Sequence, residues 1–253
     1  MFSNLRYLFG KLSGLLLVLF LSTCVTTVLT AQQNDWQPLF NDEDLSGWIV
    51  PEGDGGHWKV LDGVIDYDAM SEAPGDKNLW TEEEYGDFVL RVDWRIKEAP
   101  FINENAVIVR PDGSSQRHSD GSVLRIALPD ADSGIYVRGT SKAQINIWTW
   151  PVGSGEVYGY RTDSNMPEEV QAGVTPSMFA DNHIGEWNTF EITMSGDRLS
   201  VELNGHMVIE NAELPGVPES GRIALQHHGH ITDGEWASSP SLVQFKNIYI
   251  REL

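Results

Sequence analysis

The sequence predicts an all-β protein built as an antiparallel sandwich in a single domain. Three observations predict it. Short segments alternate apolar and polar residues with the period of two that a strand requires. Turn pairs such as Asp62-Gly63, Gly196-Asp197 and Asn204-Gly205 separate them. No amphipathic helical stretch of convincing length, internal repeat or low-complexity tail interrupts the pattern.

The chain opens on a targeting signal. Arg6 and Lys11 form a basic start, Leu15 to Leu21 is an uninterrupted apolar run, and a weaker apolar tail reaches Ala31. The run is short for a membrane span. Cleavage after Ala31 would leave residues 32–253 as the exported domain, starting Q-Q-N-D-W. The only cysteine, Cys24, lies inside the signal, where L-S-T-C resembles a lipoprotein processing box with an unfavourable threonine. Export, periplasmic or extracellular, is expected either by secretion or by a lipid anchor at Cys24. Once cleaved, the domain has no disulfide, so its core must hold it together unaided.

The mature sequence then reads strand by strand. Residues 35–48 give a short strand and a turn with Gly47 before Trp48. Trp58 and Val60, then Ile65 and Tyr67, flank the Asp62-Gly63 hairpin signal. F-V-L-R-V-D-W-R-I is the clearest strand, with Phe88, Leu90, Val92, Trp94 and Ile96 inward and Val89, Arg91, Asp93 and Arg95 outward. Residues 98–133 carry prolines at 100, 111 and 129, and their length predicts a functional rim or a small hairpin. Residues 151–185 are again irregular, and they leave from the next hairpin, whose polar face they could cover. A meander follows over Phe190 to Leu203, then the strand R-I-A-L-Q-H-H-G, then V-Q-F-K-N-I-Y-I-R-E-L. The alternation of the last strand slips between Phe245 and Ile248, which predicts a bulge near Lys246-Asn247.

The hairpin of residues 133–150 has two unlike faces. Ile135, Val137, Ile145 and Ile147 make a plain aliphatic face. Tyr136, Arg138, Gln144, Asn146, Trp148 and Trp150 share the other. An arginine, two amides and three aromatics suit a sugar: flat apolar platforms beside planar hydrogen-bonding groups. A half-exposed sheet face with an ordinary mix is the alternative. Gln226 and His228 would join this face if their strand shares the sheet, and a histidine exchanges protons near neutrality. Trp187 is a further platform candidate, whereas Trp58 and Trp94 have core parity.

The mature net charge is near −22, since the −20 of the whole chain includes the two basic signal residues. Such a surface repels nucleic acid and anionic lipid, so the expected partner is a small neutral ligand or an oligosaccharide. His227, His228 and His230, with Asp233 or Glu235, are close in sequence, but adjacent strand histidines point to opposite faces. No metal and no cofactor is expected. No P-loop, dinucleotide fingerprint or G-x-S-x-G is present. No carboxylate pair stands out on one face as a glycosidase would need, and Glu191 and Glu202 read as solvated meander residues.

The segments L-F-N-D-E-D-L-S-G-W, D-S-G-I-Y-V-R-G, the Q-I of A-Q-I-N-I-W, G-E-W-N-T-F-E-I, L-N-G, G-R-I-A-L-Q-H-H-G and F-K-N-I-Y-I-R-E-L occur in that order. Together, over roughly residues 37–253, they resemble the secreted 3-keto-disaccharide hydrolase domain family. The resemblance implies a concanavalin A-like jelly roll and cleavage of glycosides oxidised at carbon 3, by hydrolysis or by elimination and hydration. Under it, His228 is the acid or base and Arg138 the partner of the ketone or enolate. Tyr136, Gln144, Asn146 and Gln226 contact the sugar, and Trp148 stacks on its ring. Many members read Y-E-x-Q before the isoleucine, and Lys142 stands here in place of that glutamate. A non-catalytic carbohydrate-binding module is the alternative on the same fold.

Overall fold

In the computed structural model, which describes residues 35–253, this alternation becomes strands paired into two main sheets and two separate two-stranded hairpins. In chain order the elements are β1 (Gln37–Pro38), β2 (Trp48–Ile49), β3 (Lys59–Leu61), β4 (Val64–Asp68), β5 (Leu79–Tyr85), β6 (Phe88–Ile96), β7 (Phe101–Val107), β8 (Arg125–Asp130), β9 (Asp132–Val137) and β10 (Thr140–Trp148). Two short helices follow, α1 (Tyr158–Arg161) and α2 (Glu168–Gly173). The chain closes through β11 (Asn188–Ser195), β12 (Arg198–Leu203), β13 (His206–Glu213), β14 (Gly221–Leu225), β15 (Ile231–Thr232), β16 (Glu235–Trp236) and β17 (Leu242–Glu252). The signal and lipid-anchor readings fall on residues outside the described ones.

One main sheet runs β13-β12-β11-β6-β17-β4-β3, with β1 also paired to β17; the other runs β10-β9-β14-β5-β2, and the separate hairpins are β7-β8 and β15-β16. Every named pairing is antiparallel, and the chain crosses between the sheets, as from β5 to β6. This is a jelly-roll sandwich. Its core is where the inward parities meet. Leu90, Val92, Trp94, Phe190, Ile192, Val201 and Phe245 of the larger sheet share one buried cluster with Ile135, Val137, Ile145, Ile147, Ile223 and Leu225 of the smaller. Each such side chain contributes about 1.5–3 kcal/mol on burial, which is how a domain without disulfides can stand. Val89, expected outward, is buried too; it is flanked on both sides, by Thr193 and by Arg251.

The turn chemistry is as the sequence indicates. Asp62 and Gly63 both have positive φ, 52° and 74°, as do Asn204 and Gly205 at 53° and 81°. The bulge in β17 is present as a register shift between Lys246 and Tyr249, with Asn247 at φ 50°. It lets one strand serve two neighbours on one side: β4 pairs with Leu242–Phe245 and β1 with Tyr249 and Ile250. The region 98–133 is indeed a hairpin, β7 with β8, extended by bridges Val109–Ser115 and Arg117–Val123.

The segment after β10 covers that strand. Gly155 donates to the Asn146 carbonyl at 2.8 Å, and Asn146 donates to the Glu156 carbonyl at 2.9 Å. Then α1 lies directly on Lys142. A Cβ at Gly159 would sit 2.5 Å from the Lys142 carbonyl oxygen, so only glycine permits the approach.

Candidate functional site

On its outer side the five-stranded sheet carries a pocket of about 340 Å³ lined by Asn103, Asp130, Asp132, Gln144, Asn146, Trp148, Trp150, Tyr158, Gln226, His228 and Ser239. Strand parity explains most of the list. Gln144 pairs with Tyr136, Asn146 with Gly134 and Trp148 with Asp132 across β9 and β10. Gly134 makes room for the crowding: a Cβ there would lie 2.7 Å from the Gln144 Nε2. Gln144 uses that nitrogen to donate to the Gln226 Oε1 at 2.6 Å and to the Ser133 carbonyl at 3.3 Å.

Gln226 and His228 lie just beyond β14 but keep the line of the strand. Gln226 donates its N–H to the Gly134 carbonyl at 2.9 Å. The His228 N–H is held by the Ser241 Oγ at 2.6 Å, and that hydroxyl donates to the Asp132 carbonyl at 2.8 Å. The ring is fixed as well. Its Nδ1 lies 2.6 Å from the Ser239 carbonyl, which can only accept, so Nδ1 carries the proton. In the neutral ring Nε2 is therefore left as a base. It faces the Asp132 Oδ2 at 3.9 Å.

The carboxylates here differ in how well they are served. Asp130 is saturated: Asn103, Trp150 and Ser239 donate to its Oδ2 at 2.7, 3.0 and 2.8 Å, and Thr149 donates to Oδ1 at 3.0 Å. Asp132 is not, since its buried Oδ1 has no hydrogen-bond partner among the described residues. Burial raises the Asp132 carboxyl above the ordinary range, against the pull of His228 and with a push from Asp130. Glu156 is fully buried against Arg161, and burial pushes it up to about 7 although Arg161 and Asn146 oppose this. Asn146 is also buried, and its Oδ1 lacks a partner among the described residues. Unmet acceptors beside a cavity are costly unless something fills them.

A family model, the 3-keto-alpha-glucoside-1,2-lyase-like domain, matches residues 35–251. The chain belongs to this family. It is a carbohydrate-processing domain, and the pocket is its candidate sugar site. No curated protein matches the chain. Among solved structures it is similar to a candidate glycosyl hydrolase from Parabacteroides distasonis, at 21% identity and a TM-score of 0.56, covering 87% of this chain and 84% of that one. A second such protein from the same organism has 21% identity and a TM-score of 0.50, covering 86% and 99%. At these identities the likeness concerns the fold.

Of the residues singled out by sequence, the pocket gathers Gln144, Asn146, Trp148, Trp150, Gln226 and His228. Tyr136 is not among the lining residues; its ring packs against Trp80, and burial raises its hydroxyl to about 12. Arg138 is elsewhere. Parity fails for it because it sits in the turn, at φ 56°, beyond the end of β9. Its guanidinium is buried against the carbonyls of Pro218 and Glu219 and pairs with Asp87 at 2.8 Å. It is not available to a ketone in this pocket.

The role of Trp148 also changes. Its ring is stacked on Trp150, 4.5 Å apart and 2° from parallel, with Tyr158 against it edge-on. The indole N–H is spent on the Gly153 carbonyl at 2.8 Å. Trp148 is thus a wall, and Trp150 and Tyr158 are the more exposed aromatics of the pocket. Trp187 serves the other sheet, under the cations of Arg95 and Lys246 at 4.6 and 4.2 Å. Lys142 pairs with Asp163 at 2.7 Å beneath α1. The three histidines diverge: His227 meets the Tyr67 hydroxyl, His228 faces the pocket and His230 bonds Ser238.

Sequence reasoning passed over Asp130, Asp132 and Glu156, and gave Tyr158 no role beyond a segment that could cover the polar face. Asp132 alone had a signal: it shares parity with Gly134 and Tyr136 on a strand that begins one residue earlier than expected. Asp130 follows a proline, and Glu156 and Tyr158 lie in a glycine-rich segment without period.

Proposed function

We propose that this pocket cleaves glycosides oxidised at carbon 3, with His228 as the base. The observation that carries the reading is the fixed ring: Nδ1–H held by the Ser239 carbonyl, Nε2 open toward the pocket and a carboxyl of raised pKa 3.9 Å away. A ketone at carbon 3 acidifies the proton on carbon 2. Nε2 takes that proton, and the C–H electron pair passes into the ketone as an enolate. Its collapse forms the double bond between carbons 1 and 2 and expels the aglycone oxygen, which takes a proton from the imidazolium. Asp132 stabilises that imidazolium while it lasts. Water added across the double bond then completes a net hydrolysis.

Gln144, Asn146 and Gln226 would orient the hydroxyls. Trp150 and Tyr158 would hold the ring face. Export belongs to the same proposal, with a mature chain that starts at Gln32, and sequencing the N-terminus of the processed protein tests it.

The test of the activity is to incubate the purified domain with a 3-keto-disaccharide and with its unoxidised parent. Cleavage confined to the keto sugar is the expected result. Binding of either sugar without turnover would make the pocket that of a lectin.

A further inference from the structure

We propose that Glu156, clamped by Arg161, sets the orientation of the Asn146 amide and so fixes a hydroxyl requirement of the site. The proposal rests on the pocket being a sugar site, though not on any bond being cleaved there. Asn146 and Glu156 are paired through their backbones, so their side chains stand side by side. The pairing consists of the Asn146 N–H on the Glu156 carbonyl at 2.9 Å and the Gly155 N–H on the Asn146 carbonyl at 2.8 Å. The Glu156 Oε1 is taken by the Arg161 Nε, which leaves Oε2 for Asn146 at 3.5 Å.

An ionised carboxylate accepts and cannot donate. It therefore draws the Nδ2 end of the amide toward itself and turns the Oδ1 end away. That oxygen is the one with no partner among the described residues, and Asn146 lines the pocket. The site thus presents a buried acceptor, which a hydroxyl satisfies and a bare C–H does not. Leaving a buried polar group unpaired is the most discriminating device a binding site has against a ligand that lacks one hydroxyl. Arg161 keeps its place because α1 is locked onto β10 at Gly159. Glu156 and Arg161 act through Asn146; they are positioning residues and do not touch the sugar.

Methyl α-glucoside, its 3-keto derivative and the singly deoxygenated forms of each provide the test. Binding is read by calorimetry and turnover by product release. The measurements are made at about pH 8.5, above the value near 7 to which burial raises Glu156. In the wild-type domain, loss of one particular hydroxyl is expected to weaken binding at least about tenfold. Glu156→Gln frees the amide to turn, and that discrimination falls below about threefold. Since Glu156→Gln leaves Arg161 unpaired and could impair folding, Glu156→Gln combined with Arg161→Met is the second variant. A merely structural pair would shift the melting temperature and leave the deoxy pattern intact, and folded variants that kept the pattern would overturn the proposal. Failure of every glucoside to bind would overturn it too. Discrimination among the plain glucosides without turnover of any keto sugar would uphold it while removing the lyase reading.

Discussion

The two ends of β9 hold the two charged groups that matter most in this hairpin, and they are treated in opposite ways. Arg138 and Asp132 stand about 20 Å apart along the strand. Arg138 is almost wholly buried, and its terminal nitrogens meet two carbonyls, the Asp87 carboxylate and the Gly196 carbonyl. Asp132 keeps 23% of its side-chain exposure, leaves one oxygen unmet and has its pKa held up. The Arg138 Nε is also without a partner among the described residues, but both terminal nitrogens are engaged, and a buried charge held in this way ties loops together. One left incompletely satisfied beside a cavity and a fixed histidine is available for chemistry.

Replacing His228 separates the two ends most sharply. His228→Ala should lower turnover of a 3-keto-glycoside by at least about a thousandfold with the melting temperature little changed, measured by initial rates and thermal unfolding. Arg138→Met should do the reverse. It strands carbonyls that the guanidinium now meets, costing on the order of 3 kcal/mol of stability. Below its lowered melting temperature its kcat/KM should stay within about threefold of wild type. An Arg138→Met enzyme that folds normally but is dead would return that arginine to the chemistry.

Asp132→Asn is a smaller and more specific perturbation at the active end. It keeps the shape and removes the charge that stabilises the His228 imidazolium, so kcat should fall about a hundredfold with KM little altered. If only KM rose, Asp132 would be a sugar ligand and His228 would act alone.

Most of the fold was legible because its signals are local. The alternation of Phe88–Ile96, the Asp62-Gly63 and Asn204-Gly205 turns and the slip at Lys246-Asn247 each act within a few residues, and each appears where parity puts it. The site was legible where it inherits that parity, in Gln144, Asn146, Gln226 and His228. Parity stops at the turn, and there Arg138 was misjudged: one residue of positive φ sends its side chain to carbonyls some eighty positions later. Glu156 and Tyr158 arrive on a segment whose course is set by glycine contacts with β10. Such contacts have no period to read.

The contrast recurs in miniature at two adjacent histidines, and pH resolves it with the smallest effect. His228 turns to the pocket. His227 turns inward, where its Nδ1 meets the Tyr67 hydroxyl at 2.6 Å and Tyr67 stacks on Trp58 at 3.7 Å. Burial lowers His227 to about 4, helped by the charges of Lys77 and His228. Between about pH 6.5 and pH 4 the unfolded chain binds a proton at this position that the folded chain refuses. This contribution to stability is therefore intact above about pH 6.5 and is lost as the pH falls toward 4. The melting temperature of the wild-type domain should drop across that window. His227→Gln, which keeps an acceptor for Tyr67 but cannot take the proton, should drop less. Equal slopes for the two proteins would mean that carboxylates elsewhere set the acid limit and that His227 is no more constrained than its neighbour.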